Sequence, residues 1–407
     1  MVGGKGPGIC WLSGVDMTDV NLLVVIEAEI ATTHLIEQVL KACKPHGVRY
    51  RVQFLDKLAT ADFSPDVLPL FIRCGDPRAY SWTQTLAEAN YPYLFYIDDN
   101  FWRIVGNSPL AEYYRHPVTR RSLEFIVSNA GAVISNSQEL ANFLSPFNTR
   151  IAVLPTFFDF SLIQNISPQS GDEIRLGFAG SPSRADDLEL ISPLVGPILE
   201  KFPRVVFEFA GVMPRNVKPG DRVRFFPHTQ DYAGYIRFQA ERNWTIGLAP
   251  LVDHEANRSK TDNKYREYGA CGCVGIYSNI SPYRDVVRNA ETGLLVENTP
   301  AAWLHAITEL VTDPGKRAAI SQEAREDVRA RYDVSRVSTA WADFFTDTRQ
   351  ELPQPKTGFN RQIPWRRNAR QRLDRLRLNS AILYRQGGLW LIIRHIVVKL
   401  RRLMIGH

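Results

Sequence analysis

The chain has 407 residues, 44% hydrophobic and 23% charged, a balance that excludes disordered and fibrous classes and suits two domains with an appendage. Its net charge of +6 divides unevenly: Thr346–His407 holds 14 Lys and Arg against 3 Asp and Glu, and the remainder holds 35 against 40. The body is mildly acidic and the end strongly basic, which points the end at an anionic partner, membrane or nucleic acid.

From the N-terminus, Gly3-Gly4-Lys5-Gly6-Pro7-Gly8 has the composition of a phosphate loop, but no strand precedes it and it reads as a flexible end. The opening MVGGKGPGICWLSG lacks an apolar core of signal-peptide length, and no run reaches the length of a membrane-spanning helix, so a cytoplasmic body is expected. Asn21–Ile26 reads as a buried strand and Thr33–Cys43 as a helix stopped by Lys44-Pro45-His46-Gly47. Arg49–Leu55, Val67–Arg73 and Tyr93–Ile97 read as strands, with a polar helix carrying Trp82 and Leu86 between the last two. Asp98 and Asp99 close the strand Tyr93–Ile97. Two adjacent carboxylates cannot both point one way from a strand end. One is placed to accept from ligand hydroxyls and the other to cap the next helix, against the plainer reading that both merely turn the chain. Trp102 beside them reads as core. Ala132–Ser135 and Ile151–Leu154 are two further strands, and strands alternating with helices argue for a parallel sheet covered on both faces.

Asn165–Asp172 (NISPQSGD) is a polar, turn-rich linker. A second series begins after it: strand Ile174–Phe178, helix Leu188–Lys201, then strands Val205–Phe209, Val223–Phe226, Thr245–Leu248 and Val274–Tyr277. Thr299-Pro300 opens a helix to about Val311 with a good N-cap. The expected domains are 1–165, 170–345 and a tail 346–407, with a cleft between the first two. The five cysteines, Cys10, Cys43, Cys74, Cys271 and Cys273, form no C-x-x-C and read as small buried residues in a reducing compartment.

Two loops carry chemistry. In Gly180-Ser181-Pro182-Ser183-Arg184, Gly180 permits close backbone approach and Arg184 can clamp a phosphate; the plain alternative is a strand-to-helix turn with a surface Arg. In NRSKTDNKYREYGACGCVGIYSN, the loop Ser259–Asn263 runs into a helix N-terminus, whose free N–H groups and partial positive charge suit a phosphate. Lys260 and Lys264 add full charges, Ser259 and Thr261 add hydroxyl donors, and Glu267 is an acceptor pair for a diol such as a ribose. Gly272 turns the chain into the next strand. The alternative is a solvated basic loop. No His/Cys/Asp cluster has metal-ligand spacing and there is no D-x-D, so a metal-free reaction without a cofactor is expected.

Glu267, Ala270, Cys271, Gly272 and the strand to Ser278 resemble the donor site of the retaining glycosyltransferases of family four. The likeness covers roughly 174–345 and more loosely 60–165. It implies an α/β GT-B fold: two Rossmann-like, doubly wound parallel-sheet domains with a cleft between them. The family's paired-glutamate motif has seven residues between two Glu, and Ser259 stands at the first position; the chain resembles the subset with Lys-rich loops that lacks that Glu. His254 and Glu255 are candidates to replace it. Asp98 and Asp99 stand where the family often places a His facing the donor sugar. The resemblance implies transfer of a sugar from a nucleoside-diphosphate sugar to a glycan or lipid-linked acceptor in cell-surface polysaccharide biosynthesis. The reaction would be metal-independent and retaining. Arg184, Lys260, Asp98 and Asp99 would be catalytic, and Gly180, Ser181, Ser259, Thr261, Lys264 and Glu267 would bind the nucleotide sugar. The rivals are a sugar-nucleotide epimerase on the same fold and an inactive scaffold subunit of a membrane assembly.

The tail begins with a basic helical stretch holding Arg366, Arg367, Arg370, Arg372, Arg375 and Arg377. After Gly387-Gly388, residues Leu389, Ile392, Ile393, Ile396, Leu400, Leu403 and Met404 share one helical face. Arg394, Lys399, Arg401 and Arg402 share the other, with Leu391 and Val398 as exceptions and Trp390 at the boundary. That pattern favours an anionic membrane surface over nucleic acid and predicts a peripheral protein at the inner face of the cell membrane. The alternative is a helix docked on the body or on a second subunit.

Overall fold

The computed structural model describes residues 19–405 except 107, 228–230, 356–358 and 360, and no side chains of 386, 387 and 389–405. The first domain's sheet has strands β1 (Val20–Ile26), β2 (Val48–Phe54), β3 (Val67–Ile72), β4 (Leu94–Ile97), β5 (Ala132–Ser135) and β6 (Ile151–Val153) in the order β2-β1-β3-β4-β5-β6. The second has β7 (Ile174–Ala179), β8 (Val205–Ala210), β9 (Val223–Phe226), β10 (Ile246–Ala249), β11 (Val274–Ser278) and β12 (Leu294–Val296) in the order β12-β11-β10-β7-β8-β9. Neighbouring strands in both sheets are parallel. Helices cover both faces, which is why VLPLFI of β3 is buried at every position. The strand period of two splits β1 between two cores. Leu23 and Val25 pack with Trp82 and Leu123 on one face; Leu22 and Val24 pack with Ile36 and Leu40 on the other.

Three elements differ from the sequence reading. The helix expected over 188–201 is a short helix Ala185–Leu188, a 3-10 turn Ser192–Leu194 and a helix Val195–Lys201. Pro193 lacks the N–H that a continuous helix would use there. The helix Val334–Glu351 crosses back to the first domain, so the expected span 170–345 divides. Val337, Trp341 and Phe345 join the first domain's core, and Trp341 Nε1 donates to Pro155 O at 2.9 Å. The last helix, Trp365–Ile405, continues across Gly387-Gly388, where Gly388 sits at φ +65.

The first half of that helix is docked on the first domain. Arg121 pairs with Asp374 at 2.5 Å, Arg375 with Asp76 at 3.3 Å and Arg385 with Glu112 at 2.5 Å. Arg367, expected to face a membrane, donates instead to Thr85 and Glu88, each at 2.6 Å. Arg366 is exposed, as are Trp365, Leu373, Leu376 and Tyr384. The side chains of Trp390, Arg394, Lys399, Arg401 and Arg402 lie outside the described residues, as does the glycine-rich stretch 3–8. Among the described residues no helix is long and apolar enough to cross a membrane.

A glycine in a row of three sets the height of the helix that carries Glu267. Gly177, Gly247 and Gly275 lie side by side on β7, β10 and β11. A Cβ on Gly247 would fall 2.5 Å from the Tyr268 ring, so its absence lets Tyr268 lie flat on the sheet and donate to Leu248 O at 2.8 Å. Gly272, at φ +73, closes the same helix in the left-handed region.

Candidate active site

A cavity of about 310 Å³ lies beyond the carboxyl ends of strands from both sheets, where open α/β sheets hold ligands. Arg184, Lys260, Thr261, Lys264, Glu267, Gly180 and Ser181 line it from the second domain, and Asp98 and Asp99 from the first. Residues as distant as 98 and 267 in sequence thus meet in one space.

On the second-domain side, the helix Asn263–Cys271 opens toward the cavity with no side-chain cap. Its N-cap, Asp262, is occupied elsewhere, by the Tyr332 hydroxyl and by Arg266 at 3.7 Å. The first-turn N–H groups therefore keep their anion-binding character. Lys264 Nζ lies 3.4 Å from Glu267 Oε2, and its ammonium sits over the rings of Phe178, Tyr235 and Tyr268 at 5.5–5.8 Å. Burial lowers the Lys264 pKa and the Glu267 charge opposes that shift. The Tyr235 hydroxyl lies 2.8 Å from the same Glu267 oxygen. Thr261 Oγ1 donates to Asn263 Oδ1 at 2.7 Å. Arg184 Nε lies 3.1 Å from Asp187, whose other oxygen accepts the Val252 N–H at 2.7 Å, so the guanidinium is held in place. Ser181 Oγ is exposed and 2.8 Å from Ser183 Oγ.

On the first-domain side, Asp98 is the anchored carboxylate. It accepts from Thr32 Oγ1 at 2.7 Å and from Arg73 Nη1 at 3.2 Å. Burial raises its pKa, and the Arg73 charge opposes that shift. Asp99 lies 3.5 Å from Arg73 Nη2 and, across the cleft, 3.7 Å from Lys260 Nζ. Neither aspartate begins a helix. Arg73 follows β3 at φ +51, a conformation sparsely populated by residues other than glycine, and such outliers gather at functional sites. Arg73 and Thr32 were not expected from the sequence. The signal was an arginine at the carboxyl end of a buried strand, where ligands sit in doubly wound sheets. Trp102 is core, as expected, with Nε1 donating to Glu124 at 3.3 Å.

Two expectations fail on geometry. Ser259 does not line the cavity: its Oγ donates to Glu255 O at 2.9 Å, and its carbonyl accepts from Ser137 Oγ of the first domain at 3.0 Å. It is a buried contact between the two domains. Glu255 does not line the cavity either and pairs with Arg103 of the first domain at 2.5 Å. His254 caps the helix Glu255–Arg258 by accepting the Asn257 N–H.

A second cavity of about 240 Å³ shares Gly180, Ser181 and Lys264 with the first. Its other walls include Ala210, Gly211, Tyr232, Tyr235 and Phe238, an apolar and aromatic lining suited to a flat ring. Among the described residues no group of three or more His, Cys, Asp and Glu is arranged to hold a metal ion.

Residues 265–327, which begin two residues before Glu267, match the family model described as glycosyl transferases group 1. No curated protein matches the chain. Among solved structures, sucrose-phosphate synthase from Thermosynechococcus elongatus is similar at 14% identity and TM-score 0.61, covering 81% of this chain and 99% of that one. Anabaena HepE in complex with UDP is similar at 13% identity and TM-score 0.58, covering 80% and 100%. A glycosyltransferase from Rickettsia africae is similar at 14% identity and TM-score 0.53, covering 82% and 99%. The fold is GT-B. Of the matched residues, Glu267 and Tyr283 line the cavity.

Proposed function

We propose that this protein transfers a glycosyl group from a nucleoside-diphosphate sugar to an acceptor hydroxyl. The observation that carries this reading is the convergence of Arg184, Lys260, an uncapped helix N-terminus and Glu267 in one cavity beside an aromatic-lined one. A nucleobase would occupy the aromatic cavity, its ribose would bind Glu267, and the diphosphate would lie at the helix terminus. Lys260 and Arg184 would stabilise the charge that grows on the departing diphosphate. Asp98 and Asp99 would face the sugar and its hydroxyls. That HepE is found with UDP supports a uridine nucleotide as the first donor to try.

The resemblance to family four and its Lys-rich subset extends the proposal to retention of configuration, independence of metal and a role in cell-surface polysaccharide synthesis. The acceptor would then be a glycan or a lipid-linked sugar. The exposed Trp365, Leu373, Leu376 and Tyr384 beside Arg366, Arg372 and Arg377 support peripheral attachment to an anionic membrane, at the inner face. Sedimentation with anionic liposomes, with and without residues 387–407, tests that attachment.

The deciding experiment is a thermal-shift screen of nucleotide sugars. Donor-dependent release of nucleoside diphosphate is then measured in chelator, with the product's anomeric configuration read by NMR. Release of diphosphate with a retained anomer supports every part of the reading. An epimerised sugar nucleotide, or no donor bound at all, overturns it. Activity that vanishes in chelator and returns with a divalent cation overturns only the metal-free part.

A further inference from the structure

A larger cavity, about 540 Å³, shares Asp99, Ser181, Arg184 and Lys260 with the candidate site. Its first-domain side carries the aliphatic residues Ile104, Val105 and Leu110, and its second-domain side mixes Val252 and Ala256 with Ser183, Asp187, His254 and Asn257. Val105 and Leu110 are 58% and 51% exposed, so they form its mouth.

The surroundings give the direction. Leu110 lies in the helix Pro109–Arg115, and Glu112 of that helix holds Arg385 of the basic C-terminal helix. The aliphatic mouth therefore opens next to the element whose exposed face carries Trp365, Leu373, Leu376 and Tyr384 among arginines.

We propose that this cavity is the acceptor subsite and that its occupant is an amphiphile. A hydroxylated head would lie at Asp99 and Lys260, and an aliphatic chain would run out over Ile104, Val105 and Leu110. This rests on the glycosyltransferase reading and names the acceptor class within it. In the transfer, the bond from the sugar's anomeric carbon to the diphosphate oxygen breaks and one to the head-group hydroxyl forms. The hydroxyl proton leaves on the diphosphate.

The test is calorimetric titration of the full chain with methyl and octyl glucoside, the latter kept below its micelle concentration, and separately with UDP. Octyl glucoside is expected to bind at least tenfold more tightly than methyl glucoside. Tenfold is about 1.4 kcal/mol, roughly what burying two methylenes provides. The double substitution Val105→Ser and Leu110→Ser, at exposed positions, is expected to erase that difference with the melting temperature and UDP affinity unchanged. Equal binding of the two glucosides, or a difference that survives the double substitution, overturns the proposal. If UDP binds while the glucosides fail to differ, only the acceptor inference falls; if UDP and the other nucleotides of the donor screen do not bind, the donor-site reading falls first.

Discussion

The two walls of the cleft carry opposite charge and are built in opposite ways. The second-domain wall is nearly contiguous: Lys260, Thr261, Lys264 and Glu267 come from one loop and the helix it enters, with Arg184 added from the end of β7. The first-domain wall is assembled from Thr32, Arg73 and the pair Asp98 and Asp99, which come after β1, β3 and β4. One wall presents cations and a helix terminus, so an anion can bind without rearrangement. The other presents carboxylates whose charge is partly met by a single guanidinium, so it repels anions and suits hydroxyls. Elsewhere a buried acid shows what full neutralisation looks like. Glu208 is 0% exposed and is met by Arg242 and Trp244 at 2.9 Å and Arg224 at 3.3 Å. Carboxylates left partly unmet at a cleft are the ones with work to do on a ligand.

The largest effect should come from the cationic wall. Lys260→Ala is expected to lower turnover about 10²–10³-fold while changing the donor KM much less, because charge on the leaving diphosphate grows toward the transition state. Steady-state kinetics with the donor found in the screen decide it. Parent turnover in the variant would move the developing charge away from this wall.

Next comes the buried pair. Glu267→Ala leaves Lys264 enclosed by Phe178, Tyr235 and Tyr268 without its counter-charge. A loss of about 3 kcal/mol of folding stability is expected, together with weaker nucleotide binding. Glu267→Gln keeps an oxygen for Tyr235 and should fold closer to the parent, yet bind nucleoside diphosphate about tenfold less tightly. Denaturant unfolding and nucleotide titration separate the two roles. Gln binding nucleotide as well as Glu would remove the ribose contact.

A first-domain acid outside the cavity lining has a signature in pH. Glu27, at the end of β1, accepts the Gly75 and Asp76 N–H groups, each at 2.7 Å, and the Tyr113 hydroxyl at 3.2 Å. Burial, and then the Asp76 charge, lift its pKa from 4.5 to about 7. The folded state therefore holds a proton between pH 4.5 and about 7 that the unfolded state has released. Its contribution is fully present below pH 4.5 and is lost as pH rises through about 7, a change of about 3 kcal/mol. Asp98, also raised, acts in the same direction. Glu27→Gln should flatten this part of the stability–pH curve, and an unchanged slope in the variant would place the titration elsewhere.

This contrast also explains what was legible in the sequence. Alternating apolar runs and helices gave away both sheets, because strands buried on both faces must be continuously apolar. The cationic wall was legible because its chemistry is local: a loop, two lysines and an acid within one helix's reach. Asp98 and Asp99 were legible as a pair at a strand end, but Thr32 and Arg73 were not, since only the β1–β3–β4 order of the sheet brings those strand ends together. Ser259 and Glu255 were misassigned because spacing cannot show that their partners, Ser137 and Arg103, come from the other domain. The return of Val334–Glu351 to the first domain was hidden for the same reason: Trp341 and Phe345 fit any core, and only tertiary packing chooses which.

The smallest expected effect has an unusual sign. Lys260 and Asp99 face each other across the cleft at 3.7 Å with side chains 36% and 38% exposed, so solvent screens the pair and it is worth at most about 1 kcal/mol. A diphosphate that binds Lys260 must compete with that carboxylate. Asp99→Asn should therefore tighten nucleoside-diphosphate binding, by up to about fivefold, and leave folding stability nearly unchanged. Arg73 keeps its closer partner, Asp98, so the rest of the wall should hold its shape. The gain should shrink as salt rises, since the pair is partly open to solvent. Titration of the variant with UDP at two ionic strengths checks both statements. Weaker binding in the variant would mean that Asp99 positions Lys260 for the diphosphate, and the two walls would then cooperate in holding the donor rather than divide its anionic and hydroxyl ends between them.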